Sequence, residues 1–349
     1  MPIDAMSPIR VLVVDDSPLI RQILVDMLRK EPDIEVVGYA RDGEEALIRV
    51  AELSPDVVTL DVEMPRLDGL GCLRELMATQ PVPVVMVSTL TAEGAAATLE
   101  ALALGAVDFV LKPNNGSLST LRGVREELVE KVRGAKEARV LRSFRPAPKA
   151  SPAVGKTDRV VVVAASTGGP RALAAMLEGI PKGFAAPMLI VQHLPLGFSG
   201  PLAGRLNGIG PMNVREARPG DRMEPGVALI APGGRHMTVR ADGALAFDDG
   251  HALHGLRPTA DRLFASAAEA FGPRCVAVVL SGMGRDGAEG VVAIHGKGGT
   301  VLAEAEESCT IYGMPRAAVA TGAVARSVPI DGMAGAIAEV VAGSVALGR

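Results

Sequence analysis

Short runs rich in valine and isoleucine alternate along this chain with longer stretches in which apolar residues recur every three or four positions. Arg10-Val-Leu-Val-Val-Asp15 is the first such run; a short, unbroken β-branched segment describes a strand buried on both faces. Behind it Leu19, Ile20, Ile23, Leu24, Met27 and Leu28 keep helical spacing, with Pro18 near the helix start. The pattern then repeats, with a strand over 34–39, a helix over 44–53 and a strand over 57–61. Two more strands are predicted over 84–88 and 107–112, with alanine-rich helical sequence between them. Alternation of this kind predicts a doubly wound five-stranded parallel sheet with helices on both faces. Leu118, Leu121, Val124, Leu128 and Val132 mark one face of a closing helix.

Periodicity then stops. Arg142-Ser-Phe-Arg-Pro-Ala-Pro-Lys-Ala-Ser-Pro is proline, alanine and charge, the composition of a linker, which is assigned to residues 131–157 between domains at 8–130 and 158–349. A second alternating region opens with Arg159-Val-Val-Val-Val-Ala-Ala165, and further strands are predicted over 187–193, 227–231, 275–281 and 300–303. This half reads as another open, mostly parallel α/β sheet.

Candidate chemistry gathers at strand ends. Asp15 and Asp16 close the first strand and Asp61 the third. With sheet order 2-1-3-4-5 these strands are neighbours at the topological switch point, so their carboxyl ends share one crevice. Three carboxylates so close repel and raise at least one pKa unless a cation neutralises them, and oxygen ligands in an open site suit magnesium. Ser88 ends the fourth strand and Lys112 the fifth; a hydroxyl and an ammonium there suit the oxygens of a phosphoryl group. Any one of these residues alone reads as a cap or turn residue, but five of them at four strand ends do not.

This half resembles the response-regulator receiver family over about residues 8–130, on Val-Asp-Asp-Ser-Pro, Asp61-Val-Glu-Met-Pro-Arg-Leu-Asp-Gly and Leu111-Lys112-Pro113. The resemblance implies that Asp61 is the phosphoacceptor and that Asp15, Asp16 and Asp61 hold Mg²⁺. It also implies that Ser88 and Lys112 contact the phosphoryl group, that Phe109 occupies the switch-aromatic position, and that a histidine kinase is the phosphodonor.

In the second half Ser166 follows a strand directly and precedes Thr-Gly-Gly-Pro170 and a helical pattern. That turn exposes a hydroxyl beside backbone N–H groups, although a serine before a helix is more often an N-cap. His193 ends the next strand, and Asp286 follows another through Gly-Met-Gly-Arg. The aspartate alone reads as a cap for the following helix. Together the three lie beyond the carboxyl ends of three strands, where open α/β sheets place active sites. Their order, Ser…His…Asp, is no objection, since a triad is defined by geometry and roles.

Ser166-Thr-Gly-Gly-Pro, Gln192-His193-Leu-Pro, Ala231-Pro-Gly-Gly-Arg-His-Met, Gly282-Met-Gly-Arg-Asp-Gly and Gly313-Met-Pro-Arg together resemble the catalytic domain of the CheB family of chemotaxis methylesterases, over 158 to about 325. The resemblance implies that Ser166 is the nucleophile, His193 the general base and Asp286 its orienting partner, with an oxyanion hole of backbone amides near Thr167 and Met283. It implies demethylation of glutamate methyl esters and deamidation of glutamines on chemotaxis receptors. It further implies that the unphosphorylated receiver blocks the active site until Asp61 is phosphorylated. Arg285 departs from the family's common asparagine.

Composition removes several alternatives. A formal net charge of -4 and 3% aromatic residues without tryptophan predict neither nucleic-acid binding nor membrane adhesion. Residues 121–150 carry nine Lys/Arg against four Glu, but no recognition motif accompanies that excess. No apolar run reaches the ~18 residues a membrane span requires. Three widely spaced cysteines and no signal sequence predict a reducing, cytoplasmic setting and no disulfide framework or Cys/His metal site. Two other functional classes compete. Gly282-Met-Gly284-Arg-Asp-Gly287 with Glu304 also fits a dinucleotide fingerprint, but short glycine motifs match often by chance, and that reading gives Ser166 and His193 no role. A non-enzymatic, phosphorylation-dependent binding module predicts a silent Ser166→Ala. His251 and His254 lack a third ligand for a metal.

Overall fold

The computed structural model describes residues 7–113, 118–139, 157–253 and 255–343. The chain divides into two compact units, 1–142 and 143–349.

The first unit alternates strictly, through β1 (Ile9–Val14), α1 (Pro18–Leu28), β2 (Ile34–Ala40), α2 (Gly43–Leu53), β3 (Val57–Asp61), α3 (Gly69–Thr79), β4 (Val84–Ser88), α4 (Ala92–Leu104), β5 (Asp108–Leu111) and α5 (Leu118–Glu137). All its strand pairs are parallel, in the order β2-β1-β3-β4-β5, the order that places β1 beside β3. Residues Val11 to Val14 and every residue of β3 and β4 are buried, as two-sided covering by helices requires. The helices begin on side-chain caps: Ser17 Oγ accepts from Ile20 N, Asp42 from Glu45 N, Asp68 from Gly71 N and Thr91 from Gly94 N. Helix α5 runs to Glu137, seven residues past the boundary expected at 130. Val132 and Ala135 are fully buried, so the helix keeps packing on the unit there. The rest of the expected linker, 140–156, lies outside the described residues.

The second unit is built on β6 (Val160–Ala165), α6 (Gly169–Gly179), β7 (Met188–Gln192), α7 (Ser199–Leu206), β8 (Asn213–Glu216), β9 (Val227–Ile230), β10 (His236–Val239), β11 (Leu245–Asp248), α8 (Ala260–Phe271), β12 (Cys275–Val279), α9 (Ala288–Gly296), β13 (Thr300–Glu304), α10 (Met314–Ala320), β14 (Arg326–Val328) and α11 (Ile330–Val341). Its sheet has seven parallel strands in the order β14-β13-β12-β6-β7-β9-β8. From β6 the chain winds outward through β7 to β8 and β9, then crosses back to β12 and winds the other way. The reversal opens a crevice beyond the carboxyl ends of β6 and β12. Strands β10 and β11 form a separate antiparallel hairpin. Beneath the sheet Phe264, Leu263 and Phe271 of α8 pack with Val162, Ala164, Val279 and Met237 in one buried cluster. Truncating a residue such as Phe264 to alanine costs about 3–5 kcal/mol.

Candidate active site and phosphoacceptor cluster

In the first unit the acids meet as the strand order requires. One carboxylate oxygen from each of Asp15, Asp16 and Asp61 lies within 4.8 Å of the others, with Asp15 and Asp61 buried and Asp16 exposed. Lys112, carried just past β5, places Nζ 2.7 Å from Asp61 Oδ2 and 3.1 Å from Asp15 Oδ2. The first contact is a hydrogen bond; the second lacks hydrogen-bond geometry, and Asp15 Oδ2 is buried without a donor. One ammonium thus contacts two buried carboxylates, with Asp16 beside them. Burial, with Asp15 adding to it, pushes Asp61 up to about 6 against the pull of Lys112, and burial raises Asp15 as well. Lys112 is itself raised: burial opposes its charge, but Asp61 and Asp15 outweigh burial. Three clustered carboxylate oxygens, one without a donor, are a donor set that fits a hard divalent cation.

Ser88 is buried at the end of β4, and its hydroxyl is engaged with α4: Thr98 Oγ1 donates to it at 2.7 Å, and it lies 3.3 Å from Gly94 O. Phe109 is 2% exposed. Lys131 of α5 covers it, with Nζ 5.0 Å from the ring centroid, a hydrogen bond to Phe109 O and an ion pair at 3.3 Å to Asp108.

In the second unit β6, β7 and β12 deliver Ser166, His193 and Asp286 to the crevice. Ser166 is not the cap of α6. That position falls on Gly168 at φ 75°, where a Cβ would stand 2.4 Å from the Thr310 side chain; only glycine fits. The ladder continues beyond the strands: Ser166 N donates to Ser281 O at 3.0 Å and His193 N to Ala165 O at 3.1 Å. His193 is therefore level with Ser166.

His193 Nε2 lies 2.7 Å from Asp286 Oδ2. The carboxylate also accepts from Ala260 N at 2.6 Å, Asp261 N at 3.1 Å and Gly287 N at 3.0 Å. Asp286 thus caps α8, which precedes it in the chain, and not only the turn into α9; Thr259, at the N-cap of α8, makes no side-chain cap bond. Burial opposes the charge on Asp286, but the hydrogen bond and charge of His193 and the backbone amides outweigh it, and its pKa is lowered. The neighbouring Asp261 is pushed up to about 6 by burial, with Asp286 close by, against a 2.7 Å hydrogen bond from Gly290 N. A carboxylate partner makes Nε2 the protonated nitrogen and leaves Nδ1 as the basic one, a tautomer assigned from this bond.

The carbonyls of two peptides are held firmly. Ser166 O accepts from Gly169 N at 2.7 Å and from Gln192 Nε2 at 2.9 Å. Gly282 O accepts from Gly313 N at 3.1 Å and Met314 N at 2.8 Å. In a trans peptide the N–H points opposite to the C=O, so these bonds orient the amides of Thr167 and Met283. The two loops touch: a Cβ on Gly282 would lie 2.8 Å from Ser166 Cβ. Ser281 joins them, its Oγ donating to Thr167 O at 2.9 Å and accepting from Ile311 N at 3.0 Å.

These contacts also dispose of the dinucleotide reading. Glu304 is 1% exposed and accepts from Ser281 N at 2.8 Å and Ser308 Oγ at 3.0 Å; burial pushes it up to about 7. It has no exposed carboxylate for a ribose. His236 is buried, with Nε2 3.1 Å from His251 O, so His251 serves through its backbone; His254 lies outside the described residues. All three cysteines are buried and none is joined in a disulfide.

Residues 161–337 match the CheB methylesterase family and residues 11–121 the response regulator receiver domain. The chain is 46% identical to the protein-glutamate methylesterase/protein-glutamine glutaminase of Symbiobacterium thermophilum, over 96% of this chain and 97% of that one. The chain belongs to the CheB methylesterase family. A relative of the same description in Pyrococcus abyssi is 43% identical over 98% of this chain and 96% of its own length. Among solved structures, the Thermotoga maritima CheB methylesterase catalytic domain superposes with a TM-score of 0.51 at 37% identity, covering 52% of this chain and 98% of that one. The two-unit architecture read from the sequence is thus a CheB architecture, receiver first and methylesterase second. Among the described residues no helix is long and apolar enough to cross a membrane.

Proposed function

We propose that this chain is a phosphorylation-controlled serine hydrolase that demethylates glutamate γ-methyl esters, and deamidates glutamines, on chemotaxis receptors in the cytoplasm. The observation that carries the catalytic assignment is the 2.7 Å contact from His193 to an Asp286 held by three backbone amides, level with Ser166. Ser166 Oγ attacks the ester carbonyl while His193 Nδ1 takes its proton. Asp286, kept ionised at the start of α8, stabilises the imidazolium and fixes the ring. The Thr167 and Met283 amides receive the oxyanion. Collapse of the tetrahedral adduct expels methoxide, which takes the proton from His193 and leaves as methanol. Water, deprotonated by the same nitrogen, then attacks the acyl-enzyme; cleavage of the acyl–Oγ bond returns the proton to Ser166 and frees the glutamate. A glutamine side chain follows the same path with ammonia as the leaving group.

Asp61 is the proposed phosphoacceptor, supplied by a histidine kinase. Asp15, Asp16 and Asp61 are the residues that would hold Mg²⁺, which supplies positive charge opposite the phosphoryl oxygens. Lys112 pairs with the phosphoryl group, and Ser88 exchanges its α4 partners for a phosphoryl oxygen. Phe109, beneath Lys131, is the aromatic whose packing changes in response. The unphosphorylated receiver restrains the esterase and phosphorylation relieves it. The test is methanol release from methylated receptor, with and without acetyl phosphate. Ser166→Ala should abolish release and Asp61→Asn should remove the response to the phosphodonor. Near-normal release by Ser166→Ala sinks the catalytic assignment, and phosphorylation of Asp61→Asn sinks the receiver assignment.

A further inference from the structure

Gln192 ends β7, one residue before the base, and is 2% exposed. Its amide nitrogen donates to two carbonyls, Ser166 O at 2.9 Å and His193 O at 3.2 Å. One side chain therefore joins the backbone of the nucleophile to the backbone of the base. Its Oε1 is buried without a hydrogen-bond partner. That atom lies against Gly169, where a Cβ would stand 2.0 Å from it. A buried carbonyl without a donor is a cost to the fold, and an apolar side chain of the same length avoids it. The glutamine is explained by what its NH₂ does.

Besides Gln192, among the described residues only Gly169 N holds the Ser166 carbonyl, at 2.7 Å in the tight turn into α6. Gln192 approaches as a second, independent donor from β7. Two donors fix the rotation of the Ser166–Thr167 peptide, and with it the direction of the Thr167 N–H on its far side. The His193–Leu194 peptide is held by the same nitrogen, so the backbone that carries the imidazole cannot turn independently of the nucleophile. We infer that Gln192 is a positioning residue for the esterase reaction, which aims the Thr167 amide at the oxyanion and keeps nucleophile and base in register. This rests on the reading of Ser166 as nucleophile and of the Thr167 amide as part of the oxyanion hole.

An aimed amide contributes most in the transition state, when the oxyanion exists, and little when substrate binds. Gln192→Met keeps length and volume, removes both donors and also removes the unpartnered Oε1. The full-length chain, activated with acetyl phosphate, would be assayed on a peptide carrying a γ-methyl glutamate, beside Ser166→Ala. A serine-directed peptide boronate, which forms a tetrahedral anion on Ser166 Oγ, serves as an oxyanion mimic. Losing an oxyanion donor outright costs ~10²–10³-fold. Misaiming one should lower kcat by roughly 10–100-fold, leave KM within about twofold, and weaken the boronate by the same factor as kcat. Gly169→Ala, which pushes the glutamine amide from the opposite side, should give the same kinetic signature. An unchanged kcat in Gln192→Met, or a rise in KM alone, overturns the inference. So does a fall in kcat with undiminished boronate affinity. If Ser166→Ala remains active the catalytic reading itself has failed; if it is dead while Gln192→Met is normal, only the inference has.

Discussion

The acid cluster of the receiver is a stored instability, and Asp61→Asn should release it. Asp61 is 1% exposed and its pKa is raised from 3.8 to about 6, a balance struck after Lys112 has already exerted its pull. At about 1.36 kcal/mol per pKa unit, ionising Asp61 costs ~3 kcal/mol more in the folded chain than in the unfolded one. Between pH 3.8 and 6 the folded state holds the proton that the unfolded state has released, so stability falls as pH rises through that window. Above it the penalty is complete. Asparagine keeps the shape and an acceptor for Lys112 but has no charge to desolvate. The variant should gain roughly 2–3 kcal/mol at pH 7.5, allowing for some relaxation of the site, and only about 1 kcal/mol at pH 4.5. Amide hydrogen exchange on the full-length chain isolates this unit: protection of β1, β3 and β4 should rise by about 30–160-fold at pH 7.5, the same energy expressed as an opening constant. Magnesium chloride should narrow the gap by protecting the wild type. Equal protection at pH 7.5, or a gap of the same size at pH 4.5, would refute the reasoning, because only a titrating Asp61 produces a difference that grows with pH.

Three further outcomes are expected. Asp286→Asn should lower turnover by about 10³–10⁴-fold through the wrong His193 tautomer, with a small loss of stability; Asp286→Ala should in addition leave Ala260 N and Asp261 N without acceptors and cost ~1–3 kcal/mol in chemical denaturation. A truncation beginning near Lys156 should exceed the unphosphorylated full-length chain in methanol release and ignore acetyl phosphate; a folded truncation no faster than its parent would exclude restraint by the receiver. Glu304→Gln should remain active, since Ser308 Oγ can accept from the new amide and donate to Ala305 O at 3.2 Å, whereas Glu304→Leu strands the buried Ser281 N–H and should lower kcat measurably in the same assay.

Where a strand is a continuous apolar run, the sequence located it within a residue or two: β1, β3, β4 and β6 needed only their valines. Strand β8 was missed because Asn213-Val-Arg-Glu216 at the sheet edge has one buried residue and no apolar run to find. The β10–β11 hairpin carried a signal that was not used, Asp242-Gly243 between two alternating segments. A domain boundary at 130 cuts through α5 although Val132 already marks its apolar face; Ala135, too small and isolated among charged residues to extend that pattern, is buried on the same face. At the candidate site, Ser166, His193 and Asp286 were legible as candidates because they stand just beyond strand ends. Their fixings were not. That Asp286 caps α8 depends on two segments brought together by the β6–β12 crossing, and no local pattern of sequence encodes it. Gln192 stood in a motif next to His193, yet its role lies in two backbone carbonyls, one of them 26 residues away.

The two units solve one electrostatic problem in opposite ways, and the difference follows from what each buried aspartate faces. Asp286 has three backbone amides and a histidine nitrogen directed at its two oxygens, two of those amides at the start of α8. Hydrogen-bond donors and a helix N-terminus favour the charged form, so its pKa falls despite burial. The base-orienting role proposed for Asp286 requires a carboxylate that stays ionised through every turnover, and fixed dipoles provide that without any exchangeable partner. Asp61 has one short ammonium contact, a 3.3 Å bond from Glu63 N, and the carboxylate of Asp15 beside it. Its charge is under-compensated, and its pKa rises. The phosphoacceptor role proposed for Asp61 accounts for this: a group that gains and loses a phosphoryl anion cannot be surrounded by permanent donors, because these would hold the empty site as firmly as the filled one. The deficit leaves the receiver responsive: a cation or a change of charge at Asp61 alters its stability by an amount comparable with the weak couplings that regulate proteins, while the proposed triad has no such reserve to release.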